Sequence, residues 1–156
     1  MTSDEQDKAG VLAPPPLIYL VALIFGLLMG RRFPMRFLPR TMARSLGWPL
    51  LGGGVLLLGW FEKAMRQADT PTSPYKPVEH IATEGPFRYT RNPGYLAMTL
   101  IYAGIASLAN ALWAITLLPV AVLVIQRGVI EREERYLERK FGEEYLSYKA
   151  RVRRWI

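Results

Sequence analysis

The sequence predicts an all-α integral membrane protein with about four transmembrane helices, followed by amphipathic helices at its C-terminus. Half of the residues are apolar (51%), and they collect into long blocks without charge. The longest block is the 35 residues 92–126, and the charged residues lie between and after such blocks. Uncharged apolar stretches of about 18 or more residues are typical of membrane spans, whereas a helix of a soluble bundle keeps a polar face.

The predicted spans are residues 14–30, 45–62, 93–108 and 111–127. The long apolar block is divided in two because a single helix of that length would run to about 52 Å, against a hydrocarbon core of about 30 Å. A turn near residues 107–110 is expected to join the last two spans. Three consecutive glycines, 52–54, are expected to allow another helix to approach the second span closely.

The charged residues after position 127 predict a helix that continues the fourth span into water. Gly142 is expected to end this helix as a C-terminal cap. Aromatic and apolar residues then recur at three- and four-residue intervals, at Tyr145, Tyr148, Val152 and Trp155. This spacing predicts a second amphipathic helix that folds back onto the membrane face.

The composition excludes several functions. The chain has no cysteine and one histidine, His80. Disulfides, thiolate catalysis and cysteine-ligated zinc are therefore excluded, and no metal site is predicted. The formal net charge is +7, but no basic face with interleaved aromatics lies outside the apolar blocks, so no nucleic-acid partner is predicted. Arginine and lysine at a membrane surface account for the charge.

The distribution of basic residues predicts the topology. Four spans place both termini and the 62–91 segment on one side, which carries 15 of the 20 Lys and Arg residues. The positive-inside rule makes that side cytoplasmic, so both termini are expected in the cytoplasm. The 31–44 loop opposes the rule with five arginines, and two alternatives are that the first apolar segment is re-entrant or that this loop lies flat on the surface.

Two polar segments border the membrane on the same predicted side. Residues 84–95 precede the third span, and residues 127–151 follow the fourth. Because these spans form a hairpin, their outer ends must lie together and build a polar pocket at the membrane interface. The side chains expected to meet there are Arg91, Asn92, Tyr95, Arg127, Glu131 and Glu134.

The same two segments resemble the motifs of a known family. GPFRYTRNPGYL (85–96) is similar to the GxYxxxRHPxY signature of isoprenylcysteine carboxyl methyltransferases and related membrane methyltransferases, including phospholipid N-methyltransferases. EERYLERKFGEEYLSYKARV (133–152) resembles the ending of that family. The resemblance covers about residues 70–156 and implies a short, bacterial-type member. It implies one domain over 1–156, with an N-terminal helical pair in 1–65 and a cofactor-binding catalytic core in 70–156.

The resemblance implies a bacterial inner-membrane enzyme that binds S-adenosyl-L-methionine on the cytosolic side and methylates a lipophilic small-molecule or lipid acceptor. Carboxyl O-methylation and amine N-methylation both stay open. The residues that match the family's cofactor-binding positions are His80, Ile81, Ala82, Phe87, Arg91, Asn92, Pro93, Gly94, Tyr95 and Glu133. The residues expected to serve the acceptor and the chemistry are Arg127, Glu134 and Arg151. Asn92 stands where the family has histidine, Phe87 where it has tyrosine, and Val129 near a family arginine, for which Arg127 is the nearest replacement.

Each feature also has a plainer interpretation. The arginines would anchor helix ends at lipid phosphates, the glutamates would form a solvated helix face, and the tyrosines would lie in an interfacial aromatic belt. Two other functions stay open. One is an NADPH-dependent membrane reductase of related topology, for which 156 residues are few. The other is a non-catalytic membrane interaction protein that keeps only the scaffold.

Overall fold

The computed structural model describes residues 13–68 and 80–156, and within these ranges the chain is helical and contains no strand. A 3₁₀ turn, Gly85–Arg88, comes before the third helix, and a π-helical segment, Gln126–Ile130, joins the fourth helix to the fifth. The α-helices in the described ranges are α1 Pro15–Arg32, α2 Arg40–Gln67, α3 Pro93–Leu108, α4 Leu112–Ile125, α5 Glu131–Phe141 and α6 Glu143–Arg151. The all-α class is confirmed.

By length and composition, two helical stretches of the described chain are able to cross a bilayer, fewer than the four expected. They are α1 and the 30-residue stretch Leu112–Phe141, whose apolar part ends before Arg127. α3 is apolar but has 16 residues. α2 is long enough, but five glycines, a proline and two tryptophans dilute its leucines. Within the two apolar windows only 17% and 33% of the residues are buried, which is unlike the core helices of a soluble protein.

The helices pack in two close pairs, α2 against α3 and α1 against α4. Glycine makes both contacts possible. A Cβ on Gly104 would lie 2.6 Å from the backbone nitrogen of Leu51, and one on Gly26 would lie 2.5 Å from Cα of Ala114. Of the glycine run 52–54, Gly54 faces α3 in this way, whereas Gly52 and Gly53 have no atom within 4 Å. The backbones therefore approach where small residues allow it, as in helix pairs packed within lipid.

The hairpin and the tail follow the expected order. α3 and α4 are joined by a tight turn after Leu108, in which Asn110 adopts a positive φ of 49°. α5 ends at Gly142, which has a φ of 51°. α6 then reverses direction and buries Tyr145 and Tyr148. The predicted amphipathic helix is shorter than its aromatic spacing suggested, because it ends at Arg151 and leaves Trp155 in the irregular C-terminal residues.

Candidate functional site

A buried ion-pair cluster lies where α5 meets the start of α3. The Glu134 side chain is 7% exposed, and its two carboxylate oxygens accept from Nε and Nη2 of Arg154 at 3.0 and 2.8 Å. Arg91 Nη2 lies 3.3 Å from Glu134 Oε1. The bidentate arrangement with Arg154 is the geometry in which arginine and carboxylate bind each other best. One carboxylate thus holds two guanidinium groups from segments more than 60 residues apart in the sequence.

Arg91 has hydrogen-bonding capacity left over. Its side chain is 9% exposed, and its Nε and Nη1 atoms are buried without a hydrogen-bond partner. Burial raises the pKa of Tyr145 to about 12 and also raises that of Tyr148, so both neighbouring rings stay neutral and neither supplies a counter-ion. Buried donors of a charged group are costly to leave unpaired. A hydrogen bond with Arg91 lowers the pKa of Tyr145 against this effect of burial, and the two unpartnered donors of Arg91 match the charge and geometry of a carboxylate.

Glu133, the neighbour of Glu134, points to a different partner. Tyr95 Oη on α3 donates to Glu133 Oε1 at 2.7 Å. Burial raises the pKa of Glu133 to about 7, the bond from Tyr95 lowers it, and the charge of Glu134 raises it again. A buried carboxylate whose pKa is raised toward neutrality is typical of functional sites, although structural ion-pair networks perturb pKa values as well.

The C-terminal residues lie over the start of α3 and are bound to it through their backbone. The Arg91 amide donates to the carbonyl of Arg153 at 2.9 Å. The Arg154 carbonyl accepts from Asn92 Nδ2 at 2.9 Å and from Thr90 Oγ1 at 3.1 Å. Asn92 thus binds the tail through its side-chain amide, a donor that does not titrate.

An apolar cluster packs against the segment that leads to Arg91. The Phe87 ring is buried, and its centroid lies 5.9 Å from that of the Phe61 ring. The backbone carbonyl of Phe87 accepts a hydrogen bond from Tyr148 Oη at 2.8 Å. A Cβ on Gly94 would lie 3.1 Å from the Phe61 ring, so glycine permits this contact. Ile81 packs against the same cluster, as does Ala82. These contacts fix the loop that carries Arg91.

The chain is similar to one family of known proteins. Its sequence matches the family model of the phospholipid methyltransferases over residues 42–144, more than half of the chain and most of the site. The chain belongs to the phospholipid methyltransferase family. Membership of this family agrees with the two helical stretches that are apolar and long enough to cross a bilayer.

An uncharacterized protein of Haemophilus influenzae is 60% identical over 35 residues, which are 22% of this chain and 56% of the relative. The match therefore spans about half the length of that relative. No solved structure matches the chain.

Most of the residues predicted to bind the cofactor lie in or just before the start of α3. Asn92 and Pro93 are buried at the start of α3, and Tyr95 bonds to Glu133. His80 is exposed at the edge of the described residues. Since no comparison tests these roles, the assignment of cofactor contacts stays a prediction.

The three residues predicted for the chemistry lie in different surroundings. Glu134 is in the ion-pair cluster, where both of its oxygens are occupied by arginines. Arg127 is exposed in the π-helical segment. Arg151 is exposed on α6, and its Nε donates to the carbonyl of Ser147 at 3.2 Å. The structure therefore does not bring Arg127 or Arg151 into the buried cluster.

Sequence reasoning missed Arg154, which forms the stronger of the two contacts to Glu134. The available signal was the ending RVRRWI, where three arginines within four residues follow an amphipathic helix. Only the fold distinguishes them, because the chain leaves α6 at Val152 in an extended conformation and carries the carbonyl of Arg154 over α3.

Proposed function

We propose that this protein uses S-adenosyl-L-methionine to methylate a lipophilic acceptor at the cytosolic face of a bacterial inner membrane, by carboxyl O- or amine N-methylation. The observation that carries the proposal is Arg91, which has two buried, unpartnered nitrogens and is paired with Glu134, the residue next to the Glu133 that binds Tyr95. The methionine end of this cofactor carries a carboxylate and an ammonium group. Open arginine donors fit the first, and a desolvated carboxylate fits the second or the ribose hydroxyls.

The residues present fit a reaction that depends on positioning. When bound, S-adenosyl-L-methionine supplies a methyl group on a sulfonium, which is displaced in line by the acceptor without a covalent enzyme intermediate. In this proposal the cofactor is bound and oriented by Arg91, Asn92, Tyr95 and Glu133. Fixing two reactants relative to each other supplies a large part of a rate enhancement. Glu134 acts as a positioning residue in this proposal, since both of its oxygens hold arginines.

The acceptor is assigned to Arg127 and the neighbouring lipid. Arg127 is exposed where the apolar part of α4 ends, so it is available for bidentate pairing with a carboxylate or phosphate of an acceptor that stays in the bilayer. An amine acceptor would instead require a carboxylate to take its proton. Arg151 has no part in the proposal because it lies on the exposed face of α6.

The membrane placement belongs to the same proposal. We assign α1 to α4 as four membrane helices with both termini in the cytoplasm, α2 and α3 crossing as a close pair. Large apolar side chains point outward from α2, among them Leu56 at 77% exposed and Val55 at 54%. Such side chains suit lipid, and 15 of the 20 basic residues then lie on the cytoplasmic side.

Binding of S-adenosylhomocysteine, the demethylated cofactor, tests the proposal directly. The detergent-solubilised full chain is titrated calorimetrically with S-adenosylhomocysteine and, in parallel, with NADPH. We expect binding of the first alone. Glu133→Ala should weaken it by about 1–3 kcal/mol, the range for losing a hydrogen bond to a charged group, while Glu144→Ala, an exposed glutamate on α6, should not. NADPH binding, or an unchanged affinity in a folded Glu133→Ala variant, would contradict the assignment.

The route of the acceptor has its own test. A lipophilic acceptor concentrates in the membrane by about 0.8 kcal/mol per buried CH₂, so methyl transfer in lipid nanodiscs should rise along a series of acceptors with one head group and longer chains. Equal rates for short, water-soluble analogues would show that the acceptor arrives from the cytosol.

A further inference from the structure

A cavity of about 760 Å³ lies at the other end of the helix bundle, far from Glu134. Its walls are the end of α1, the segment 33–39, the start of α2 and the turn between α3 and α4. The volume falls within the roughly 300–1,000 Å³ of ligand pockets. Its charged lining consists of four arginines, Arg31, Arg36, Arg40 and Arg44.

These arginines have no carboxylate near them in the sequence of the walls. Residues 8–61 and 85–130 contain no Asp or Glu, and every wall of the cavity comes from these two ranges. Arg31 lies in the last turn of α1, where its charge complements the helix dipole. That explanation does not extend to Arg40 and Arg44, which are one turn apart at the start of α2 and repel each other.

The start of α2 adds to the positive potential. α2 begins at Arg40 after Pro39, and no side chain caps its first turn. The unsatisfied amides of a first turn and the helix dipole both favour an anion. Four arginines, an uncapped helix start and a concave wall therefore converge on one place, and an anion there would relieve the repulsion among them.

The cavity is held in shape by the turn between α3 and α4. Asn110 Nδ2 donates to the Leu38 carbonyl at 2.7 Å, and Asn110 Oδ1 accepts from the amides of Phe37 and Leu38 at 3.3 Å each. Trp113 Nε1 donates to the carbonyl of Phe33 at 3.0 Å. The segment that carries Arg36 is thus tied to the bundle at both of its ends, which keeps the cost of ordering the site low.

The remaining wall identifies the occupant. Ile24, Leu27 and Leu28 of α1 line the cavity, and Ile24 and Leu28 also face outward with about half of their surface exposed. The cavity therefore opens along an apolar helix face that suits acyl chains. We propose that it binds an anionic phospholipid, with the phosphate on Arg36, Arg40 and Arg44 and the chains along α1. This inference rests on the membrane placement proposed above but not on the methyl-transfer chemistry. It also gives a reason for four of the five arginines in the 31–44 segment, which the positive-inside rule does not favour.

The test is native mass spectrometry of the full chain in detergent, titrated with phosphatidylglycerol and, for comparison, with phosphatidylcholine. We expect one tightly bound phosphatidylglycerol. The variant Arg36→Gln/Arg40→Gln/Arg44→Gln should lose about a hundredfold in affinity, at roughly fivefold for each arginine near a lipid phosphate. The matched control is Arg32→Gln, because Arg32 belongs to the same loop but lies over the Phe33 ring at 5.0 Å and does not line the cavity.

Each outcome decides between explanations. If Arg32→Gln weakens lipid binding as much as Arg36→Gln does, the attraction is a general property of a basic surface and the cavity is not a site. If glycerol 3-phosphate competes as well as the lipid, the occupant is a soluble phosphate and the lipid assignment is wrong. S-adenosylhomocysteine binding is measured on the same variants and should not change. Suppose that the native chain binds phosphatidylglycerol but no S-adenosylhomocysteine, and that the triple variant no longer binds phosphatidylglycerol. The proposed function then fails and this inference stands.

Discussion

The two ends of the bundle handle charge in opposite ways. At the start of α5, Glu134 pairs with both Arg91 and Arg154 within a buried cluster, and Glu131 also lies near Arg154. At the start of α2, Arg36, Arg40 and Arg44 line a cavity whose walls contain no carboxylate. The first end carries its counter-ions within the chain, so it keeps its shape without help. The second end is left with positive charge that only its surroundings are able to balance.

The backbone contacts differ in the same sense. At the ion-paired end, Arg91 and Asn92 bind the carbonyls of Arg153 and Arg154, so the chain closes on itself. At the basic end, the side chains of Asn110 and Trp113 hold the loop, and the arginines line the cavity without a carboxylate in its walls. A closed end suits the precise orientation of a small cofactor. An end with a fixed wall and open charges suits a headgroup that exchanges with the membrane.

The largest expected effect comes from breaking the closed end. Glu134→Ala leaves Arg91 and Arg154 without their carboxylate, and removing one partner of a buried ion pair costs about 3–5 kcal/mol. Glu131→Ala is the matched control, since Glu131 is about one-third exposed and lies 3.8 Å from Arg154; such a pair contributes about 0–1 kcal/mol. Unfolding of both variants in detergent measures the difference. Equal losses would show that the Glu134 cluster is not the buried centre described here.

A smaller effect is expected at the basic end. Asn110→Ala removes three hydrogen bonds to the 33–39 segment and places alanine at a positive φ; we expect a loss of about 1–3 kcal/mol. Asn110→Gly is the control that keeps the backbone unstrained, and it should recover roughly 1 kcal/mol of that loss.

The readouts of these two Asn110 variants separate the two ends. Phosphatidylglycerol binding should fall with stability, whereas S-adenosylhomocysteine binding should stay as in the native chain. A loss of S-adenosylhomocysteine binding in Asn110→Gly would mean that the ends are coupled through the α3–α4 hairpin.

The two ends of the bundle also differ in how much of their structure could be predicted from the sequence. The hairpin was predictable because 35 uncharged residues are too long for one span, and from it followed the meeting of Arg91 with Glu134. The end of α5 at Gly142 was predictable from the chemistry of glycine. These features depend on local patterns and on one geometric constraint, so no tertiary detail was needed to infer them.

Other features depend on tertiary contacts between segments that are far apart in the sequence. The contact between Arg154 and Glu134 requires the reversal at Gly142 and an extended exit from α6, neither of which has a periodic signal. The clamp by Asn110 joins residues 72 and 73 positions apart. Fewer helices than expected qualify as spans by length and composition, because glycine and tryptophan dilute the leucines of α2 and because α3 has 16 residues. The division of the chain into a helical pair and a catalytic core stays a prediction.

The smallest effect concerns the protonation of Glu133. Its pKa is raised to about 7, so the carboxylate form that would bind the cofactor's ammonium group is lost as the pH falls through neutrality. S-adenosylhomocysteine affinity should therefore rise about tenfold from pH 6 to pH 8, as the ionised fraction rises from about one tenth to nine tenths. Glu133→Gln, which keeps an acceptor for Tyr95 Oη, should bind more weakly at pH 8 and show a flat profile. A parallel His80→Gln variant covers the one histidine of the chain, a residue type that often changes charge in this range. If the profile persists in Glu133→Gln and disappears in His80→Gln, then His80 rather than Glu133 controls binding, and the exposed edge of the site matters more than its buried cluster.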